Sequence, residues 1–151
     1  MTNSILFEEK NNTGIIILNR PEVLNAMNRD LIMGLYETFQ EIEKENDSRV
    51  IIITGEGRGF CSGADLIDIK NLNKKNSITT YHEKINNLLD IIRNLKLPLI
   101  SVIRLYCFGA GFIIATHSDF LLASNDAIFC IPASKLKIKI PNEQILSLIH
   151  I

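Results

Sequence analysis

Along the chain, short runs of apolar residues give way to stretches in which apolar residues recur every three or four positions. SILFEE (4–9) and GIIILN (14–19) are two such runs, and the asparagines and glycine of KNNTG between them favour a tight turn, so the chain opens on an expected β-hairpin. Asn28 then precedes Leu31, Leu35, Phe39 and Ile42 at helical spacing, with Glu37, Glu41 and Glu45 on other faces. This pattern predicts a helix from about residue 29 to 46 with Asn28 as its N-cap. RVIIIT (49–54) is a β-branched run of strand length, expected to be covered on both sides as strands of α/β sheets are. Past a glycine-rich stretch, GEGRGFCSGADL (55–66), the polar segment KNLNKKNS (70–77) reads as a solvated loop. Ile78, Tyr81, Ile85, Leu88, Leu89, Ile92 and Leu95 then share one helical face, and that helix ends near Pro98. The pattern restarts with strand LISVI (99–103), a loop and helix around Gly109, strand DFLLAS (119–124) and a short AIFC (127–130).

Strand, glycine loop and helix therefore repeat, which predicts an α/β fold with its site at the carboxyl ends of strands. The apolar stretch from Leu97 to Ala123 is interrupted by Arg104, His117 and Asp119. It is expected to be buried core rather than a membrane span, which needs about 20 residues with few charges.

Composition narrows the partners. The 151 residues suffice for one domain, 46% hydrophobic and 22% charged residues are ordinary for a globular chain, and a net charge of -1 leaves no basic patch for nucleic acid or an anionic membrane. Cys61, Cys107 and Cys130 form no CxxC pair and have no histidine cluster, so neither a disulfide scaffold nor a metal site is expected, and a reducing compartment suits them. MTNSILFEEKNN lacks the basic and apolar segments of a signal peptide, and the expected location is cytoplasmic.

Two glycine loops remain as candidate chemistry. GEGRGF lacks the G-x-G-x-x-G spacing and the chain has no G-x-x-x-x-G-K-[ST], so phosphate cradling by those routes is not expected. Each loop runs from a strand end through small residues into a helix: the first through GFCSGADL, the second through CFGAGFIIATHSD, with Gly109, Ala110 and Gly111 before the apolar run. If the loops converge, each offers a backbone N–H to one point, as binding of an oxyanion requires.

Four ordered segments, LNRPEVLNAMN (18–28), TGEGRGFCSGADL (54–66), YCFGAGFIIATHSDFLLASNDAIF (106–129) and IPASKL (131–136), resemble successive signatures of the crotonase superfamily, the enoyl-CoA hydratase and isomerase relatives. The resemblance covers residues 4 to about 140. It implies a crotonase-like spiral of ββα units, an acyl-CoA thioester as substrate, no cofactor beyond the coenzyme A carried by that substrate, and a homotrimer or hexamer. It also implies two backbone N–H groups that bind the thioester oxygen as it becomes an enolate; these fall on Ala64 and Ala110, within a substrate-binding set of Ser62, Gly63, Ala64, Asp65, Leu66, Gly109, Ala110 and Gly111. The family more often carries glycine where Ala110 stands, but alanine keeps the donor.

The catalytic acids depart from the pattern. Where hydratases of the family hold their two glutamates, this chain has Ile113 and Ala133, and neither side chain can move a proton. Glu143, in IPNEQ, is the remaining candidate acid or base, against a solvated loop carboxylate. Asp65 reads as a helix cap, His117 as a satisfied core histidine, and Cys61 and Cys107 as buried small side chains. Ser62 has no histidine and aspartate in triad order. Arg20 and Pro21 fall in the loop that the resemblance places at the CoA entrance, Arg58 is a candidate phosphate contact, and Phe60 is expected to pack beneath the first loop.

The family pattern stops at Gln144, before the C-terminal helical region of its members. Residues 1–144 are thus read as a partial crotonase-like acyl-CoA-binding domain and 145–151 as a non-family tail. LSLIHI (146–151) is what one frame of a common transposase sequencing adaptor encodes, and it is read as an assembly artefact on a shortened gene. Three readings stay open: an acyl-CoA enzyme that stabilises an enolate, a non-catalytic acyl-CoA-binding protein, and an inactive truncated fragment.

Overall fold

The computed structural model describes residues 4–44, 47–71, 77–132 and 135. The expected hairpin is present: β1 (Ile5–Lys10) pairs antiparallel with β2 (Thr13–Leu18), and Asn11 and Asn12 turn the chain with φ of 52° and 60°. Asparagine tolerates that left-handed conformation, and two such residues make the turn whose twist matches the strands.

Asn28 caps α1 (Arg29–Lys44) as expected, its Oδ1 accepting the Leu31 amide at 2.9 Å. The predicted helix ran to 46, and its last two residues lie outside those described. Leu31, Ile32, Leu35, Phe39 and Ile42 bury one face of α1, against β1 and against α3 (Ser77–Arg93), whose Tyr81, Ile85, Leu88, Leu89 and Ile92 are buried in the same core. Each such fully buried large side chain contributes about 1.5–3 kcal/mol.

Strands β3 (Val50–Gly55), β4 (Leu99–Ile103) and β6 (Phe120–Ala123) extend the sheet in the order β1-β2-β3-β4-β6, parallel from β2 onward. β3 alternates buried with half-buried residues, so one of its faces is less covered than expected.

A second, two-stranded parallel sheet pairs β5 (Tyr106–Phe108) with β7 (Ile128–Cys130), and Cys61 extends it by bridging to Cys107. The alternation of sheets explains the architecture. Each turn of chain leaves one segment in the large sheet and one in the small: β3 then Cys61, β4 then β5, β6 then β7. Helices α2 (Leu66–Asn71) and α4 (Ala110–Ala115) follow the first two turns, so the ββα spiral expected from the resemblance is what the chain forms.

The apolar stretch from Leu97 to Ala123 does not stay buried to its end. Ile103, Cys107, Ile114 and Ala115 are buried, but Phe120 and Leu122 of β6 are 61% and 58% exposed. β6 is the edge strand of the large sheet, and among the described residues no further strand pairs with it. Apolar composition alone could not reveal that. No helix among the described residues is long and apolar enough to cross a membrane.

Candidate functional site

The two glycine loops meet. The first leaves β3, passes Gly59 and Phe60, and is tied to the small sheet by the Cys61 amide on Tyr106 O (3.0 Å) and by the Phe108 amide on Cys61 O (2.8 Å). The second leaves β5 and is tied to the next turn by the Gly109 amide on Cys130 O at 2.8 Å. Glycine is required at both contacts. Gly63 has φ +99°, and a Cβ there would lie 3.1 Å from Phe108 O and 3.6 Å from Gly109 Cα. Gly109 has φ 50° and ψ -119°, a combination open essentially to glycine. Gly111 has ordinary helical geometry, but a Cβ would stand 2.5 Å from Cys61 Cβ.

This packing leaves two amides exposed to chemistry. Met27 donates to Gly63 O at 2.8 Å and accepts the Asp65 amide at 3.0 Å, so the residue between them, Ala64, turns its own N–H away from Met27. Ala110 is the first residue of α4, where an amide has no carbonyl four residues back within the helix. Among the described residues neither amide has an acceptor. Ala64 and Ala110 are half-buried and follow directly on the touching glycines. Two unpaired donors on adjoining loops can bind an oxygen that carries, or is gaining, negative charge.

The other sequence candidates fall around this point. Asp65 caps α2: its Oδ1 accepts the Ile67 and Asp68 amides at 3.1 and 3.2 Å, while Oδ2 lies 3.1 Å from Arg20 Nη1. Burial alone would raise its pKa, but the Asp68 amide, the Arg20 guanidinium and the Ile67 amide outweigh burial and hold it below the ordinary value. It is therefore ionised and structural, as its position suggested.

Ser62 is likewise occupied with scaffold, its amide on Leu24 O at 2.9 Å and its hydroxyl on Val23 O at 3.3 Å. Arg20 also donates to Ala26 O, so it braces the loop to Asp65. Leu66 is 41% exposed beside a shallow depression of about 470 Å³ that Arg20, Val23, Ala26, Asn28 and residues 64–68 line. Arg58 is exposed, and Phe60 is buried as expected.

His117 is a satisfied histidine. Ile113 O, 2.7 Å away, can only accept, so Nδ1 carries the proton and Nε2 accepts from Arg93 Nη2 at 2.9 Å. Ile113 itself is 5% exposed and belongs to the hydrophobic core. Ala133, Glu143 and the tail 145–151 lie outside the described residues, so Glu143 has no structural account. No three His, Cys, Asp or Glu side chains group as metal ligands among the described residues.

Two features escaped the sequence reading. Asn25 is fully buried with φ 54°; its Oδ1 accepts the Arg20 amide (2.8 Å) and its Nδ2 donates to Glu56 O and Gly59 O (3.0 and 2.9 Å), clamping the first loop from behind. A lone asparagine between Leu24 and Ala26 carries no signal of a clamp on residues more than 30 positions away. The buried Tyr81 hydroxyl has no hydrogen-bond partner among the described residues. Its pKa is raised, by burial first and then by Cys61, Asp65 and Asp68, so it stays a neutral donor.

A mostly parallel sheet built by a ββα spiral, with two glycine loops adjoining at the carboxyl ends of its strands, defines the class as an α/β protein of the crotonase fold. Comparison with known proteins names the family: residues 8–144 match the enoyl-CoA hydratase/isomerase family, and the chain belongs to it. The crystal structure of enoyl-CoA hydratase from Thermoplasma volcanium superposes with a TM-score of 0.84 at 33% identity, covering 91% of this chain and 54% of that one. "Probable enoyl-CoA hydratase echA12" of Mycobacterium bovis is 32% identical over 120 residues, 76% of this chain and 42% of that protein. The mitochondrial 3-hydroxyisobutyryl-CoA hydrolase of Gallus gallus is 30% identical over 135 residues, 87% of this chain and 35% of that protein. The chain thus spans about half or less of each of these relatives, and the superposition bears out the crotonase fold.

Proposed function

We propose that the protein binds an acyl-CoA thioester and stabilises its enolate oxygen with the amides of Ala64 and Ala110. The observation that carries this reading is the pair of amides, without an acceptor among the described residues, on loops held in backbone contact. A donor of this kind contributes about 2.7–4 kcal/mol to transition-state stabilisation, so keeping both is expensive to explain by structure alone. Backbone donors suit the task because the scaffold sets their direction and no side-chain rotamer must be ordered when substrate arrives.

Hydration of an enoyl double bond is the weaker assignment. It needs groups that activate water and deliver a proton, and Ile113, in the first turn of α4, packs into the core instead. Reactions that need the enolate but not that pair of acids, such as isomerisation, decarboxylation or thioester hydrolysis, suit the residues better, and the similarity to a CoA-thioester hydrolase supports including hydrolysis. The full chain would act without a cofactor beyond the substrate's coenzyme A, in a trimer or hexamer.

Assay of the full-length protein with crotonyl-CoA and a panel of saturated, β-hydroxy and malonyl-type acyl-CoAs tests this. Turnover of a panel member with little hydration of crotonyl-CoA is the expected result. Rapid hydration would overturn the reaction assignment; tight binding with no product would favour a non-catalytic acyl-CoA-binding protein, and no binding would remove the reading altogether.

A further inference from the structure

We infer that Cys61 is the positioning residue of the two-loop site, its side chain gathering the backbone next to both donors: Sγ accepts the Gly63 amide at 3.3 Å, and Gly111 packs so closely that a Cβ there would lie 2.8 Å from the same sulfur. The inference rests on the proposed binding of a thioester oxygen by Ala64 and Ala110. Gly63 precedes Ala64 and Gly111 follows Ala110, so one sulfur fixes a neighbour of each donor. Cys61 is also the residue whose own amide and carbonyl bond to Tyr106 O and Phe108 N, which makes it the point where the two loops are joined by both main chain and side chain.

The chemistry of the thiol fits this task. Cys61 is fully buried, and burial pushes its pKa up to about 12, although the Gly63 and Gly111 amides and the Arg20 charge pull the other way. The sulfur is therefore neutral at physiological pH. A neutral acceptor can hold amides beside the site without placing a negative charge next to a developing oxyanion, as a carboxylate would. It is also large and soft enough to meet two backbones at once. The same burial keeps Cys61 unreactive, so it is not a nucleophile.

The test uses the full-length protein and a dimethylaminocinnamoyl-CoA thioester, whose absorption moves to longer wavelength when hydrogen bonds polarise its carbonyl. The unsubstituted protein is expected to bind the thioester with that shift. Cys61→Ala, which removes the acceptor, is expected to bind it with most of the shift lost and, on whichever substrate turns over, to lower kcat towards about 100-fold with KM little changed, the cost of a misplacement of about 1 Å. Cys61→Ser, which restores a neutral acceptor, is expected to recover much of the shift. An undiminished shift in Cys61→Ala overturns the inference and leaves the acyl-CoA reading standing. Absence of the shift in the unsubstituted protein overturns the reading of Ala64 and Ala110 and takes this inference with it. If Cys61→Ala does not fold, Cys61→Ser decides: a folded serine protein that binds the thioester without the shift also overturns the inference.

Discussion

Arg20 Nη1 lies 3.1 Å from Asp65 Oδ2, and this contact, between residues 45 apart in sequence, ties the loop after β2 to the cap of α2 beside Ala64. Both side chains are mostly buried, 19% and 14% exposed, so the pair is shielded better than a surface ion pair. Because the folded state holds the Asp65 pKa below the ordinary 3.8, the unfolded chain binds more protons. The stability this contributes is present above that value and is lost as pH falls through the folded pKa. Asp65→Asn, which keeps a capping oxygen but no charge, is expected to lower the urea midpoint at pH 7, with the gap from the unsubstituted protein closing below about pH 4. A gap that persists at pH 3 would show that the charge is not what matters.

Gly109→Ala forces an alanine into φ 50° and ψ -119°, and the expected loss is roughly 1–3 kcal/mol in chemical denaturation. Since the shift would be taken up where the loop touches Gly63, thioester affinity in the full-length protein should fall with it. A substitution that leaves both unchanged would mean that the backbone relaxes without cost.

Ile113→Glu restores the residue type that hydratases of the resembling family carry, yet here the position is 5% exposed and packed in the core. Burying an ionised carboxylate there is expected to cost several kcal/mol at neutral pH. The folded pKa of the new glutamate would be raised above about 4.3, so stability should recover as pH is lowered toward that value. Denaturation curves at pH 7 and pH 5 test the sign, and a variant as stable as the parent at pH 7 would place the position in solvent.

His117 is neutral in the fold because Nδ1 donates to Ile113 O and Nε2 accepts from Arg93. Burial lowers its pKa, with a smaller contribution from Arg93, and the Ile113 carbonyl and Asp90 only partly offset them. The unfolded state therefore takes up the proton first, and stability is complete above about pH 6.5 and declines as pH falls through the folded pKa. The melting temperature should drop more steeply between pH 7 and pH 5 in the unsubstituted chain than in His117→Gln. Equal slopes would assign the acid sensitivity elsewhere.

Phe120 and Leu122 on β6, together with Ile128 (49% exposed) on β7, leave apolar surface open at strands that, among the described residues, are the last of each sheet. Open edges with apolar side chains pair with other chains. Lysine at Phe120 and Leu122 is expected to reduce self-association of the 151-residue chain in light scattering, and an unchanged profile would locate the sticky surface somewhere else.

Much of this fold could be read directly. The apolar runs in SILFEE and GIIILN with the turn formers between them, the spacing of Leu31 to Ile42 and of Tyr81 to Ile92, and the asparagine at position 28 each act within a turn or a few residues, and all appear as expected. Strand β5 was not legible: YCF is too short to show a period, and its pairing partners, Cys61 and β7, are distant in sequence. The exposure of β6 was hidden for the same reason, because an edge strand and a central one carry the same apolar residues.

The amino-acid sequence by itself determined the hairpin, the long helices α1 and α3, the strands of the large sheet, the glycines at 63, 109 and 111, and the family those motifs mark, because propensity, turn chemistry and motif spacing are local properties of the chain. Only the tertiary structure decided that the two loops touch, that the amides of Ala64 and Ala110 have no acceptor among the described residues, that Asp65 is held by Arg20, and that Cys61 sits between the loops. Those relationships depend on how successive turns of the spiral stack, which brings together residues some 45 positions apart and is written in no single stretch of sequence.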